Sequence, residues 1–259
     1  MDIGNTNITT GLFIDDSEKF IEKIPVTEID KLADILVEAW EQIPVAKMAK
    51  EKKRDGVIVV SSVNNETAKI VADICKNKLG EKIKLIGTDI PLPIEMGVEN
   101  SSEVGTDRVA AAAAAFAVIE DAVVIADFGT AVTIDLVDEK GTFLGGIIAP
   151  GFSIAADALN VRTDKLPKLD IQITPPKNYV GGNTLEAINN GLYFAAVGLL
   201  KTTVEKYAED IGKWPQVIVT GGASNVIKQD CDFVDSWVSN LSVRGVVLAY
   251  KKFMEEKIE

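Results

Sequence analysis

The sequence contains no histidine. That excludes Ser-His-Asp and Cys-His catalysis and histidine-ligated metals. A general base at neutral pH is then expected to be a carboxylate, with Lys, Tyr or Cys as remote options. Cysteine is scarce as well. Cys75 and Cys231 stand far apart with no C-x-x-C spacing, which makes neither a zinc site nor a disulfide framework. Both read as reduced, structural thiols. Positive charge is in short supply: 27 Lys and Arg face 39 Asp and Glu, a net charge of −12. Such a chain repels phosphodiester backbones at long range, so nucleic acid is not an expected partner. Local anion binding through backbone N–H groups and a few arginines stays open. Long hydrophobic runs are missing too. Val109–Ile119 and Ala122–Ala126 are too short or too alanine-rich for a membrane span. A motif begins at Asp2, so no signal peptide is expected. The bulk reading is a soluble cytoplasmic protein.

What is present is an ordinary globular composition, 47% hydrophobic over 259 residues, enough for one large domain or two small ones. Asn7–Ile14 and Lys19–Pro25 read as pairing strands around an Asp15-Asp16-Ser17 turn. Ile29–Ile43 has helical spacing, and the charged Lys47–Asp55 run reads as a solvated loop or helix end. Gly56–Ser61 reads as a buried parallel strand. Glu66–Leu79 is expected as a helix, Lys82–Ile86 as a strand, Pro91–Asn100 as a loop and Thr106–Ile119 as an alanine-rich helix. A second series follows: strands at Ala122–Asp127, Ala131–Val137 and Thr142–Ala149, and a helix to about Leu159. Then come a mostly helical Gly182–Lys206, a strand at Gln216–Thr220, a short helix at Ser224–Lys228 and a closing helix at Ser242–Met254.

The two series echo each other. Asp2-Ile3-Gly4-Asn5-Thr6-Asn7 and Asp127-Phe128-Gly129-Thr130-Ala131-Val132 each place Asp-x-Gly and a small polar residue before a strand. This points to an internal duplication of a strand-rich α/β unit. A glycine directly after a strand permits a tight turn and close backbone approach to a ligand. Successive N–H groups in such a turn can cradle phosphate oxygens, and Asn5, Thr6 and Thr130 add neutral donors. The aspartates would repel phosphate directly, but they make sense if they hold Mg²⁺, directly or through water. Two such loops would clamp a triphosphate; ordinary turns are the competing reading. Gly221 and Gly222 end another apolar strand and would let a flat base lie against the backbone. Gly105-Thr106-Asp107-Arg108 opens the alanine-rich helix. Asp107 there suits a general base or helix capping, and Arg108 suits a substrate carboxylate.

With Glu103–Arg108, Asp127–Asp135, Gly145–Gly151 and Gly182–Thr184 in this order, the sequence resembles the type III pantothenate kinases from residue 2 to about residue 250. The resemblance implies an α/β fold of the acetate and sugar kinase/Hsp70/actin type. It consists of two ribonuclease-H-like βββαβαβα halves, here 1–119 and 120–259, with a nucleotide cleft between them. It implies transfer of the ATP γ-phosphate to the primary hydroxyl of pantothenate, the first step of coenzyme A synthesis. Asp2, Gly4, Asn5 and Thr6 match the first phosphate loop, with Asp2 toward Mg²⁺. Asp127, Gly129 and Thr130 match the second, where Asp127 is implied to hold a monovalent cation, K⁺ or NH₄⁺; Gly221 and Gly222 complete the ATP set. Asp107 matches the catalytic base. Gly105, Thr106 and Arg108 match the pantothenate side, and Val98 stands where the family places a pocket-lining tyrosine. Thr184 matches a threonine that reaches the neighbouring subunit's pocket, which implies a homodimer formed by the second half. The family usually has a small apolar residue at Asp164 and Leu at Phe152-Ser153. Only Met1 precedes Asp2, so the first strand is expected to be shortened and its loop poorly anchored, or the chain to start upstream. A kinase of the same fold for another small hydroxy compound, and a non-catalytic nucleotide-binding relative, are the alternative readings.

Overall fold

The apolar run Ile58-Val59-Val60 behaves as a strand covered on both faces. Ile58 and Val60 join a core with Leu32, Leu36, Val71 and Cys75, whereas Val59 packs with Ile86, Ile90, Val246 and Ala249. Around it the computed structural model, which describes residues 1–15, 17–45, 54–168 and 172–257, builds one five-stranded sheet. Its strands are β1 (Asp2–Ile3), β2 (Asn7–Ile14), β3 (Ser17–Pro25), β4 (Ile58–Ser62) and β5 (Ile83–Leu85), in the spatial order β3-β2-β1-β4-β5. β1 to β3 are antiparallel neighbours, and β4 and β5 run parallel to β1. Helices α1 (Leu32–Glu41) and α2 (Asn65–Leu79) cover one face. α2 starts on an Asn64 cap whose side chain accepts from Thr67 N, and stops at Gly80, which takes a left-handed φ of 72°.

The second sheet repeats the plan. After β6 (Glu95–Met96) and α3 (Thr106–Ile119) come β7 (Val123–Phe128), β8 (Ala131–Val137), β9 (Thr142–Pro150), α4 (Phe152–Val161), α5 (Thr184–Ile211), β10 (Gln216–Thr220), β11 (Ser236–Trp237) and α6 (Leu241–Glu255). The strand order is β11-β10-β7-β8-β9-β6. β7, β8, β9, β10 and β11 therefore correspond to β1, β2, β3, β4 and β5, with the same antiparallel and parallel pairings. This is the duplicated ribonuclease-H-like, actin-like ATPase fold. The long helix α5 buries Tyr193, Leu200 and Val204 against Val124, Ala126, Phe128 and Ile134.

Two compact units result, but they do not divide at residue 119. The first comprises Met1–Ile94, Asn100–Ala114 and Asn240–Glu259; the second comprises Glu95–Glu99 and Ala115–Ser239. α6 returns to the first unit because Val246 and Ala249 pack with Val59 of β4. Glu95–Glu99 joins the second because β6, inside the expected Pro91–Asn100 loop, pairs with the edge of β9. Most of the Lys47–Asp55 run, residues 47–53, lies outside the described residues. β1 is short, as expected, yet it is well anchored. Met1 N donates to Val59 O at 2.6 Å, Ser61 N donates to Met1 O at 2.9 Å, and Ile3 is fully buried. Pairing on both sides replaces the length that the strand lacks.

Candidate functional site

In the first unit, strand alternation decides where Asp2 points. Ile3 enters the core beneath α1 and α2, so Asp2 faces the opposite side, toward α6. There its Oδ2 accepts a 2.7 Å hydrogen bond from Ser242 Oγ. Its Oδ1 is buried and has no hydrogen-bond partner. Burial, and then the negative charge of Asp107, push the Asp2 carboxyl up to about 6, partly offset by the Ser242 hydroxyl, the N-terminal charge and the nearby Ser61 hydroxyl. Gly4 N donates to Asn7 O at 3.0 Å and closes the turn, with Asn5 and Thr6 exposed beyond it.

The start of α3 is fastened to the end of β4. Thr106 Oγ1 lies 2.9 Å from Ser61 Oγ, and Ser62 N donates to Thr106 Oγ1 at 3.1 Å. The Thr106 hydroxyl thereby ties the helix start to β4. Gly105 leaves room for the next carboxylate: a Cβ there would stand 2.5 Å from Asp107 Oδ1. Asp107 Oδ1 accepts from Arg108 N at 2.8 Å. Burial raises the Asp107 pKa, against the lowering effects of that N–H and of the Arg108 charge. The negative charge of Asp107 acts on Asp2, and burial makes both carboxylates costly to ionise without a cation. Among the described residues, no group of three or more His, Cys, Asp or Glu could hold a metal ion. A buried, orphaned Asp2 oxygen beside a second carboxylate nonetheless fits Mg²⁺, which takes one or two carboxylates and completes its shell with water and phosphate.

In the second unit Asp127 takes the place of Asp2, and Thr220 lies opposite it in β10 as Ser61 does in β4. Gly129 N donates to Ala131 O at 3.0 Å. Gly221 has a φ of 98°, and a Cβ on it would meet Asp127 Oδ1 and the Phe128 backbone at 2.5 Å. A Cβ on Gly129 would lie 3.4 Å from the same carboxylate oxygen. Glycine backbone thus comes close to the Asp127 carboxylate on two sides, a setting that fits a small cation. Gly222 is exposed next to it, and Ala223 N donates to Phe128 O at 3.0 Å. Gly151, which opens α4, would put a Cβ 2.4 Å from Thr130 O, so it too must lack a side chain. Val98 is half-buried beside Gly145 of β9.

Thr184 is exposed at the first position of α5, behind an Asn183 cap that accepts from Glu186 N at 3.0 Å. Nearby, Asn190 Nδ2 donates to Asn178 O and Tyr179 O, yet Tyr179 and Val180 are 81% and 85% exposed. Sequence reasoning missed Ser61 and Ser242. A serine at a strand end and another in a helix's first turn carry no signal until the topology sets both near Asp2.

No helix among the described residues is long and apolar enough to cross a membrane. Residues 1–206 match the family model described as type III pantothenate kinase. The type III pantothenate kinase of Syntrophotalea carbinolica is 31% identical over 250 residues, covering 96% of each chain. That of Agathobacter rectalis is 32% identical over 265 residues, covering 97% of this chain and 96% of its own. A solved structure from Campylobacter jejuni, described as a Baf family transcriptional activator, shares the fold. It has a TM-score of 0.59 and 20% identity, and the match covers 99% of this chain and 96% of that one. On the family match and this identity along nearly its whole length, the chain belongs to the type III pantothenate kinase family.

Proposed function

We propose that the chain transfers the γ-phosphoryl group of ATP to the primary hydroxyl of pantothenate, giving 4′-phosphopantothenate, the entry to coenzyme A biosynthesis. The observation that carries this reading is the Asp2–Asp107 neighbourhood: Asp2 has a buried, unpartnered oxygen, and both carboxyls are raised. Asp107 takes the hydroxyl proton as the new P–O bond forms and the bond to the departing ADP breaks. A raised pKa suits that role, since a base is most effective when its pKa approaches the working pH. Gly105 gives the Asp107 carboxylate its room, and Arg108 pairs with the pantothenate carboxylate. The Gly4-Asn5-Thr6 turn and the Gly129-Thr130 turn bind phosphate oxygens, while Gly221 and Gly222 accept the base of the nucleotide. Asp2 holds Mg²⁺, directly or through water, and Asp127 holds K⁺ or NH₄⁺. These cations, when bound, neutralise triphosphate charge that a chain with a net charge of −12 otherwise repels. Val98 lines the acceptor pocket with less area than an aromatic ring would. The exposed Tyr179 and Val180, close to Thr184, support a homodimer in which Thr184 serves the partner's pocket. The cytoplasm, where ATP is supplied, is the place of work.

Coupled ADP release with pantothenate, Mg²⁺ and K⁺ tests this. The parent turns over, and Asp107→Asn falls by about two to four orders of magnitude. No turnover by the parent with any small hydroxy acceptor would overturn the kinase reading, and a better acceptor than pantothenate would redirect it. Equal turnover by the variant would remove Asp107 from its role.

A further inference from the structure

We infer that Ser242 is a positioning residue: its hydroxyl pins one oxygen of Asp2 so that the other is held toward the metal–phosphate site. This rests on the kinase reading above. The two oxygens of Asp2 have different surroundings. Oδ2 accepts from Ser242 Oγ at 2.7 Å, while Oδ1 is buried with no partner. A carboxylate that is free to rotate about its last torsion presents either oxygen, whereas a hydrogen bond to one oxygen fixes the direction of the other. The donor is itself held firmly. Ser242 lies in the first turn of α6, beside Leu241 and Val243, both buried. One turn further, Gly245 allows backbone contact with α3: a Cβ there would stand 1.9 Å from Ala110 O. α3 carries Asp107, so α6 touches both carboxylate-bearing elements, one by a hydroxyl and the other by a glycine. The approach falls at Ala110, whose backbone faces Gly245. Asn240, with a left-handed φ of 55°, aims the helix start.

The test is ADP binding by calorimetry across a Mg²⁺ series, with no turnover involved, on the full chain and three variants. Ser242→Ala should need about tenfold more Mg²⁺ for half-maximal ADP binding, the size of one charge-assisted hydrogen bond. Ser242→Thr, which keeps the hydroxyl, should restore the parent dependence, and thermal melts should show all the variants folded. Asp2→Asn should abolish the Mg²⁺ dependence. If Asp2→Asn does so while Ser242→Ala matches the parent or binds Mg²⁺ more tightly, the inference about Ser242 is wrong and the role of Asp2 stands. An unchanged Mg²⁺ dependence in Asp2→Asn would instead overturn the role of Asp2 itself. Failure of Ser242→Thr to restore binding would assign the effect to packing and sink the positioning role.

Discussion

Asp2 and Asp127 occupy the same place in two copies of one topology, at the end of the central strand and opposite a hydroxyl residue. Their surroundings have diverged. Asp127 is the next-to-last residue of a six-residue strand, and glycine backbone at 129 and 221 comes close to its carboxylate. Asp2 sits in a two-residue strand, with Ser242 on one oxygen, no hydrogen bond on the other, the Ser61 hydroxyl nearby, and Asp107 as a like-charged neighbour. The turns differ as well: four residues, Gly4 to Asn7, separate the paired positions Ile3 and Ile8 in the first unit, and three, Gly129 to Ala131, separate Phe128 and Val132 in the second. The comparison teaches that duplication fixes where a carboxylate stands, while its neighbours decide its chemistry. Under the function proposed above, the two raised carboxyls of the first unit suit a divalent cation and a transferred proton, whereas Asp127 suits a monovalent cation.

The largest effect should separate the two aspartates by activity. Asp2→Asn is expected to lower kcat/KM by about three orders of magnitude, because the divalent site and the electrostatic partner of Asp107 go together. Asp127→Asn should cost about tenfold and show itself mainly as a changed dependence on K⁺. Steady-state kinetics over Mg²⁺ and K⁺ series measure both. Equal losses with the same ion dependence would break the comparison.

The next effect is on stability, and it reverses the ranking of the two units. Gly221→Ala places a methyl 2.5 Å from the Phe128 backbone at a φ of 98°, which should cost about 3 kcal/mol or more in urea unfolding. Ser62, the equivalent residue at the end of β4, already has a side chain, and its hydroxyl bonds to the Asn64 backbone. Ser62→Ala should therefore cost about 1 kcal/mol. A larger loss at Ser62 than at Gly221 would show that the second turn is the more tolerant of the two.

Much of this was readable in the residues because it is local. The Asp-x-Gly repeat, the buried parallel strand in Gly56–Ser61 and the Thr106–Ile119 helix all follow from short-range patterns, and the structure shows them. The pieces that were not read depend on contacts distant in sequence. β6 and β11 are two residues each and exist only because a neighbouring strand lends them partners. The return of α6 to the first unit, and with it the 2.7 Å contact between residues 2 and 242, has no signature in either segment. Thr106 illustrates the intermediate case: its place in the motif was evident, but its commitment to Ser61 and Ser62 required the register of β4.

The smallest effect is also the most specific to the first unit, and it concerns stability against pH. The Asp2 carboxyl rises from an ordinary value of 3.8 to about 6 in the folded protein. The native state therefore binds this proton more tightly than the unfolded chain does. Its contribution to stability is fully present below pH 4 and is lost as the pH rises through 6. The loss above pH 6 is at most about 3 kcal/mol, taking roughly two pKa units at 1.36 kcal/mol each. Asp2→Asn cannot ionise, so without ligands it should be more stable than the parent by about 2 kcal/mol at pH 7.5 and equal to it near pH 4. Urea midpoints at the two pH values measure this difference. Mg²⁺ with ADP should narrow the gap at pH 7.5 by stabilising the parent alone. A variant at Asp2 that is less stable than the parent at pH 7.5 would mean that the carboxylate is already satisfied within the fold, and that Asp2 and Asp127 are alike after all.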